Sequence, residues 1–220
     1  MKEKMEHLLE EIKKNLIYLG NEVEHSLRQS MKALQKQDVK LAKQVISQDK
    51  TIDQLEVKIE DQILTLMALQ QPVALDLRFI VAGLKINNDL ERIGDHAVNI
   101  AQTAIALANE PYLKPLQDLP RMSDIACQML HDAVSAFIHR DAELGREVCS
   151  RDNDVDELYD RVVSHTAEVV KNKIDKLKQA FALIRVARDL ERVADLATNI
   201  GEDVVFMKDA KIIRHGLEEK

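Results

Sequence analysis

The sequence predicts an all-α protein built as two tandem three-helix bundles, and three observations carry that expectation. The 220 residues are 45% hydrophobic but only 3% aromatic, with no Trp, 6 Gly and 4 Pro, the aliphatic and turn-poor composition of long helices. The stretch DLERIGDHAVNIA, residues 89–101, returns as DLERVADLATNIG at 189–201, and self-similarity at a fixed offset marks a repeated architecture. Three of the four prolines fall in PYLKPLQDLP, Pro111 to Pro120, which no continuing helix tolerates.

The elements follow in order. A first helix runs to about Gln37, and Asp38 is the N-cap of a second. Ile52, Leu55, Ile59, Ile63 and Leu66 have the spacing of one buried face on that second helix. A turn falls near QQPVAL, and a third helix runs from about Asp76 to Asn109. Residues 111–120 form an irregular linker between a first half, 1–110, and a second, 121–220. There the pattern repeats: a helix to about His139, a second opening at Asp141, a turn near KNKIDK and a last helix to about Met207. Asp89 and Asp189 are 100 residues apart, whereas Asp38 and Asp141, Asp49 and Asp152, and Asp53 and Asp156 are 103 apart. The second copy therefore drops three residues at the turn between these blocks, where a deletion is best tolerated.

Each copy places acids four residues apart on one helix face: Asp49 with Asp53 and Glu91 with Asp95, then Asp152 with Asp156 and Glu191 with Asp195. Like charges at that spacing disfavour a helix by about 0.2–0.5 kcal/mol each. Residues equidistant from a hairpin turn lie side by side. The first two pairs centre on 51 and 93, whose midpoint is Pro72; the last two centre on 154 and 193, whose midpoint lies between Asn172 and Lys173. Each copy thus brings four carboxylates to one level. Oxygen-only donors suit hard cations such as iron, manganese, magnesium or calcium, and the metal stays open at this point. Asn99 and Asn199, one turn further along, are candidates for a carbonyl ligand or a hydrogen bond to the liganding acids. The second copy carries Leu196 where the first has His96, so the repeated design does not require an imidazole. Solvated faces neutralised by Arg92 and Arg192 are the plain alternative.

Other classes are disfavoured. A net charge of −7, with Lys and Arg alternating with acids, does not make a phosphate-tracking surface, so no nucleic-acid partner is expected. No apolar run approaches the roughly 20 residues of a membrane span, and the start, MKEKMEHLLEEIKKNL, lacks the features of a signal peptide, so a cytoplasmic protein without membrane insertion is expected. Cys127 and Cys149 read as reduced thiols. No Gly-rich phosphate loop, nucleophile elbow or HExxH motif appears, and neither copy has the Glu-x-x-His spacing of di-metal oxidases, so no enzymatic activity is expected. A metal-free helical adaptor is the runner-up.

ALQQPVALDLRFIVAGLKINNDLERIGDHAVNIA in the first half, with DELYDR, LIRVARDLERVADLATNIGEDVVFM and KIIRH in the second, closely resembles the PhoU family of phosphate-uptake regulators along nearly the whole chain. The family's E(D)xxxD motifs map onto Asp49–Asp53, Glu91–Asp95, Asp152–Asp156 and Glu191–Asp195. The sequence departs from the pattern at Leu196, where members often carry His. The resemblance implies a cytoplasmic homodimer that negatively regulates the phosphate-starvation response. It also implies two partners, the ATPase of a phosphate ABC transporter and a phosphate-sensing histidine kinase. The acidic motifs would hold metal ions, multinuclear iron foremost, with zinc, manganese, magnesium or calcium as other occupants.

Overall fold

The computed structural model describes residues 2–109, 111 and 118–213. The described residues form seven helices, α1 (Lys2–Lys36), α2 (Val39–Gln70), α3 (Ala74–Leu107), α4 (Asp118–His139), α5 (Ala142–Ser150), α6 (Asp152–Asn172) and α7 (Leu177–Asp209), with a 3-10 turn at Ile174–Lys176. Among the described residues there is no strand.

The same turn opens the second helix of each copy. Asp38 N–H donates to Ala33 O and Gln37 N–H to Leu34 O, and Asp141 and Arg140 repeat the pair on Ala136 and Phe137. This is the Schellman arrangement, with Gln37 and Arg140 at positive φ in the place glycine usually takes. The next aspartate then caps the new helix: the Asp38 carboxylate accepts from Leu41 N–H, and that of Asp141 from Glu143 and Leu144 N–H.

Two expectations need correction. The second helix of the second copy is not continuous but breaks at Arg151 into α5 and α6. There Arg151 N–H donates to Val148 O and Asp154 N–H to Arg151 O, three residues apart instead of four, which overwinds the chain without a Gly or Pro. The Arg151 guanidinium is held 2.7 Å from Asp132 on α4. The linker is also shorter than 111–120, because α4 begins at Asp118 and includes Pro120. A proline in a first turn forfeits no helical hydrogen bond, since those N–H groups have no partner within the helix. Residues 112–117 lie outside the described residues.

The buried faces are almost wholly aliphatic and form one cluster running through both halves. Ile52, Ile59, Ile63 and Leu66 of α2 are buried and Leu55 partly so. Each such side chain contributes about 1.5–3 kcal/mol by leaving water. Phe79 of α3 stacks on Phe137 of α4 at 4.7 Å, joining the halves through their two largest buried side chains. The other joint is between α3 and α7, which cross antiparallel: Lys85 pairs with Asp203, His96 with Asp189 and Thr103 with Arg185. The α2–α3 and α6–α7 turns consequently stand at opposite ends of the molecule.

Candidate functional site

The acids of the first copy sit where α2 and α3 approach each other. Gly94 makes the approach possible: a Cβ there would lie 3.2 Å from Ile52 Cγ2 and 3.4 Å from Asp49 Oδ1. Asp49 and Glu91 are half-buried, while Asp53 and Asp95 are exposed. In the second copy Asp152 and Glu191 are half-buried, and Asp156 is exposed at the start of α6. Ala194 replaces Gly94 and is fully buried.

Burial raises the Asp49 carboxyl to about 6, and the charges of Asp53 and Asp95 add to the shift. Burial likewise raises Asp152 to about 6, helped by Asp156 and Asp195. Glu91 is raised by burial first, then by Asp95, Glu56, Asp53 and Asp49, so all four acids of the first copy share one field. Glu191 is raised by burial and Asp195 against the pull of Arg188 and Arg192. The hairpin geometry therefore places like charges together at both levels.

The copies differ in how they answer that repulsion. No hydrogen bond or ion pair to Asp49, Asp53, Glu91 or Asp95 is present among the described residues. Arg92 turns away from them to Asp89, at 3.4 Å. In the second copy Arg192 reaches Asp195 at 2.9 Å, and Arg188 and Arg192 lie 3.4 and 3.8 Å from Glu191 Oε2 without forming a hydrogen bond to it. The position equivalent to Arg188 is Asn88.

As the side chains stand, no three Asp, Glu, His or Cys groups among the described residues converge to grip a metal ion. The donor set still fits a hard cation. It is oxygen-only, it carries an uncompensated like charge in the first copy, and its outer members, Asp53 and Asp95, are exposed and free to turn inward.

Asn99 turns to the other copy. Asn99 Nδ2 donates to Asp189 Oδ1 of the other copy at 3.4 Å, and the same oxygen lies 2.9 Å from His96 Nδ1. His96 thus belongs to the seam between the halves. Asn199 lines a cleft of about 570 Å³ with Glu56, Glu60, Asn88, Asp89 and Glu202. Two roles were not read from the sequence. Glu56 adds to the field on Glu91 and is fixed by buried Asn87, whose Nδ2 donates to its main-chain oxygen at 2.9 Å. Its signal was its place seven residues after Asp49 on the same face. Asp189 opens the repeated motif, but its partners lie across a joint that no periodicity reports. Cys127 and Cys149 are free thiols, pushed up to about 11 by burial.

With this geometry established, comparison places the chain among known proteins. The PhoU domain model matches twice, at residues 16–104 and 119–204. A phosphate-specific transport system accessory protein PhoU homolog of Aquifex aeolicus is 42% identical over 94% of both chains. One of Clostridium acetobutylicum is 35% identical, over 92% of this chain and 93% of its own. The crystal structure of PhoU from Pseudomonas aeruginosa superposes with a TM-score of 0.91 at 30% identity, covering 94% of this chain and 99% of that one.

Proposed function

The chain belongs to the PhoU family, and from that premise we propose that it is an accessory and regulatory protein of a phosphate-specific transport system that restrains phosphate uptake and the phosphate-starvation response. The observation that carries this reading is a family match at both copies, with relatives bearing that accessory role in their names aligned along almost the whole chain. The protein acts by contact and not by catalysis. It works in the cytoplasm, as a homodimer, between the ATPase of a phosphate ABC transporter and a phosphate-sensing histidine kinase. The acidic helix faces favour basic surfaces on such partners.

The four acids of each copy, Asp49, Asp53, Glu91 and Asp95, then Asp152, Asp156, Glu191 and Asp195, would hold metal ions, with iron clusters the first candidate. Bound cations supply positive charge that cancels the repulsion within each hairpin and ties its two helices together. The raised carboxyls of Asp49 and Asp152 support this, because a pair of groups that resists ionising beside its neighbours gains most from a cation.

The test is deletion of the gene. Alkaline phosphatase and phosphate-uptake genes should then be expressed in high phosphate, and purification of the tagged protein should bring down the transporter ATPase or the kinase. Normal repression in the deletion strain, with no second copy of the protein present, would remove the regulatory reading and leave the metal-free adaptor.

A further inference from the structure

We propose that the α6–α7 tip docks on an anionic lipid bilayer, its apolar stripe entering the headgroup layer within a fringe of lysines. Ile174, Leu177 and Phe181 are 81%, 42% and 64% exposed. Their spacings of three and four residues put them on one stripe that runs from the 3-10 turn into the first turns of α7. Phe79 and Phe137 are stacked in the core and Phe206 is half-buried, so Phe181 is the one phenylalanine of the four that the chain leaves exposed. Around the stripe stand Lys171, Lys173, Lys176 and Lys178, and residues 171–178 carry one acid, Asp175, against those four cations. This basic tip belongs to a chain whose net charge is −7.

The first copy provides the comparison. Its tip also exposes apolar groups, Leu69, Val73 and Leu77. Yet between Lys58 and Lys85 its only cation is Arg78, and Asp76 stands at the position of Lys176. Only the second tip combines exposed apolar side chains with clustered positive charge.

That combination selects the occupant. Apolar side chains gain by entering the boundary between headgroups and acyl chains, and each lysine near an anionic surface strengthens binding about fivefold. Flexible lysines around a small apolar stripe match a fluid interface better than a shaped protein groove. No helix of the described residues is long and apolar enough to cross a membrane, so the contact is peripheral. On α6 the acid nearest the tip is Glu168, four residues before Asn172, which lines a cleft with Asp160 and Asp118 beside Arg161 and His165. The motif acids of α7 begin at Glu191, fourteen residues into that helix, or about 20 Å from the tip. End-on docking therefore keeps the motif acids away from the lipid and leaves Asp175 and Glu168 as the acids near it, against Lys171, Lys173, Lys176 and Lys178.

The experiment is co-sedimentation of the full chain with phosphatidylcholine vesicles containing about 30% phosphatidylglycerol, and with pure phosphatidylcholine. Binding to the anionic vesicles alone is expected, and high salt should release it. Lys173→Gln with Lys176→Asp, a change of three charge units, should weaken binding by about a hundredfold, at about fivefold per charge. Ile174→Ser with Phe181→Ser should abolish it at unchanged charge, and Val73→Ser with Leu77→Ser in the other tip should leave it intact; circular dichroism confirms the fold of each variant. Failure to bind anionic vesicles, equal binding to neutral ones, or loss only in the first-tip variant would overturn the proposal. So would capture of an acidic protein by a tip that ignores vesicles.

Discussion

His96 in the first copy and Asp189 in the second meet across the α3–α7 crossing, Nδ1 to Oδ1 at 2.9 Å, with Asn99 donating to the same oxygen. The Asp189 side chain is almost wholly buried and its Oδ2 has no hydrogen-bond partner, so this contact is the main answer to its charge. His96→Leu, which copies the residue of the second repeat, should cost about 1–3 kcal/mol in urea denaturation, because it strips a buried acceptor of a partner. Asp189→Asn in the same background should recover part of that loss.

Two glycines give opposite predictions. A Cβ on Gly201 would fall 2.7 Å from the main-chain oxygen of Gly145, which cannot move aside, whereas one on Gly83 would meet only side-chain atoms at 3.5 Å or more. Gly201→Ala should therefore destabilise by about 1–3 kcal/mol or more through overpacking. Gly83→Ala should be neutral or stabilising by up to about 1 kcal/mol, the gain in helix propensity. Thermal unfolding of the two variants side by side tests the contrast.

The raised carboxyls set a pH dependence for the metal-free protein. Asp49 and Asp152 titrate near 6 when folded and near 3.8 in their ordinary state, so between those values the folded chain holds more protons than the unfolded one. Their contribution to stability is largest below that window and falls as pH rises through it. Asp49→Asn with Asp152→Asn should raise the melting temperature at pH 7.5 and change it little at pH 4, which differential scanning fluorimetry of the metal-free variants would show.

If the acid clusters bind cations, they should bind them unequally. Arg188 and Arg192 already answer the second cluster, and Asn88 leaves the first without that help. Titration with manganese or iron(II) should fill the first cluster before the second. Glu91→Ala with Asp95→Ala should remove the tighter event only, and Asn88→Arg should weaken it. A single class of sites, unaffected by either change, would contradict the assignment.

Much of the fold was legible because it is local. Asp38 and Asp141 advertise N-caps, the isoleucine stripe of α2 shows its buried face, and Pro72 marks the hairpin that brings the acid pairs level. What the sequence hid is tertiary. The break at Arg151 carries no Gly or Pro, and arises where α5 lies backbone to backbone on α7 and Asp132 of α4 holds the guanidinium. Asn99 lies on the helical turn after Asp95, yet its amide serves the other half. Pro120 signalled an interruption, but a first turn accepts it.

The antiparallel crossing of α3 and α7 has the form of an isologous interface. Lys85 with Asp203 on one side corresponds to Arg185 with Thr103 on the other. In a two-fold dimer of identical subunits the two sides would have to remain the same. Covalent fusion lifts that restriction, and the chain has used the freedom: one side carries His96 and Asp189, while its mirror carries Leu196 and Asp89. Each half is thus a subunit that has acquired a fixed and unequal mate, and a partner approaching this molecule meets two distinct flanks where a symmetric dimer would offer the same one twice.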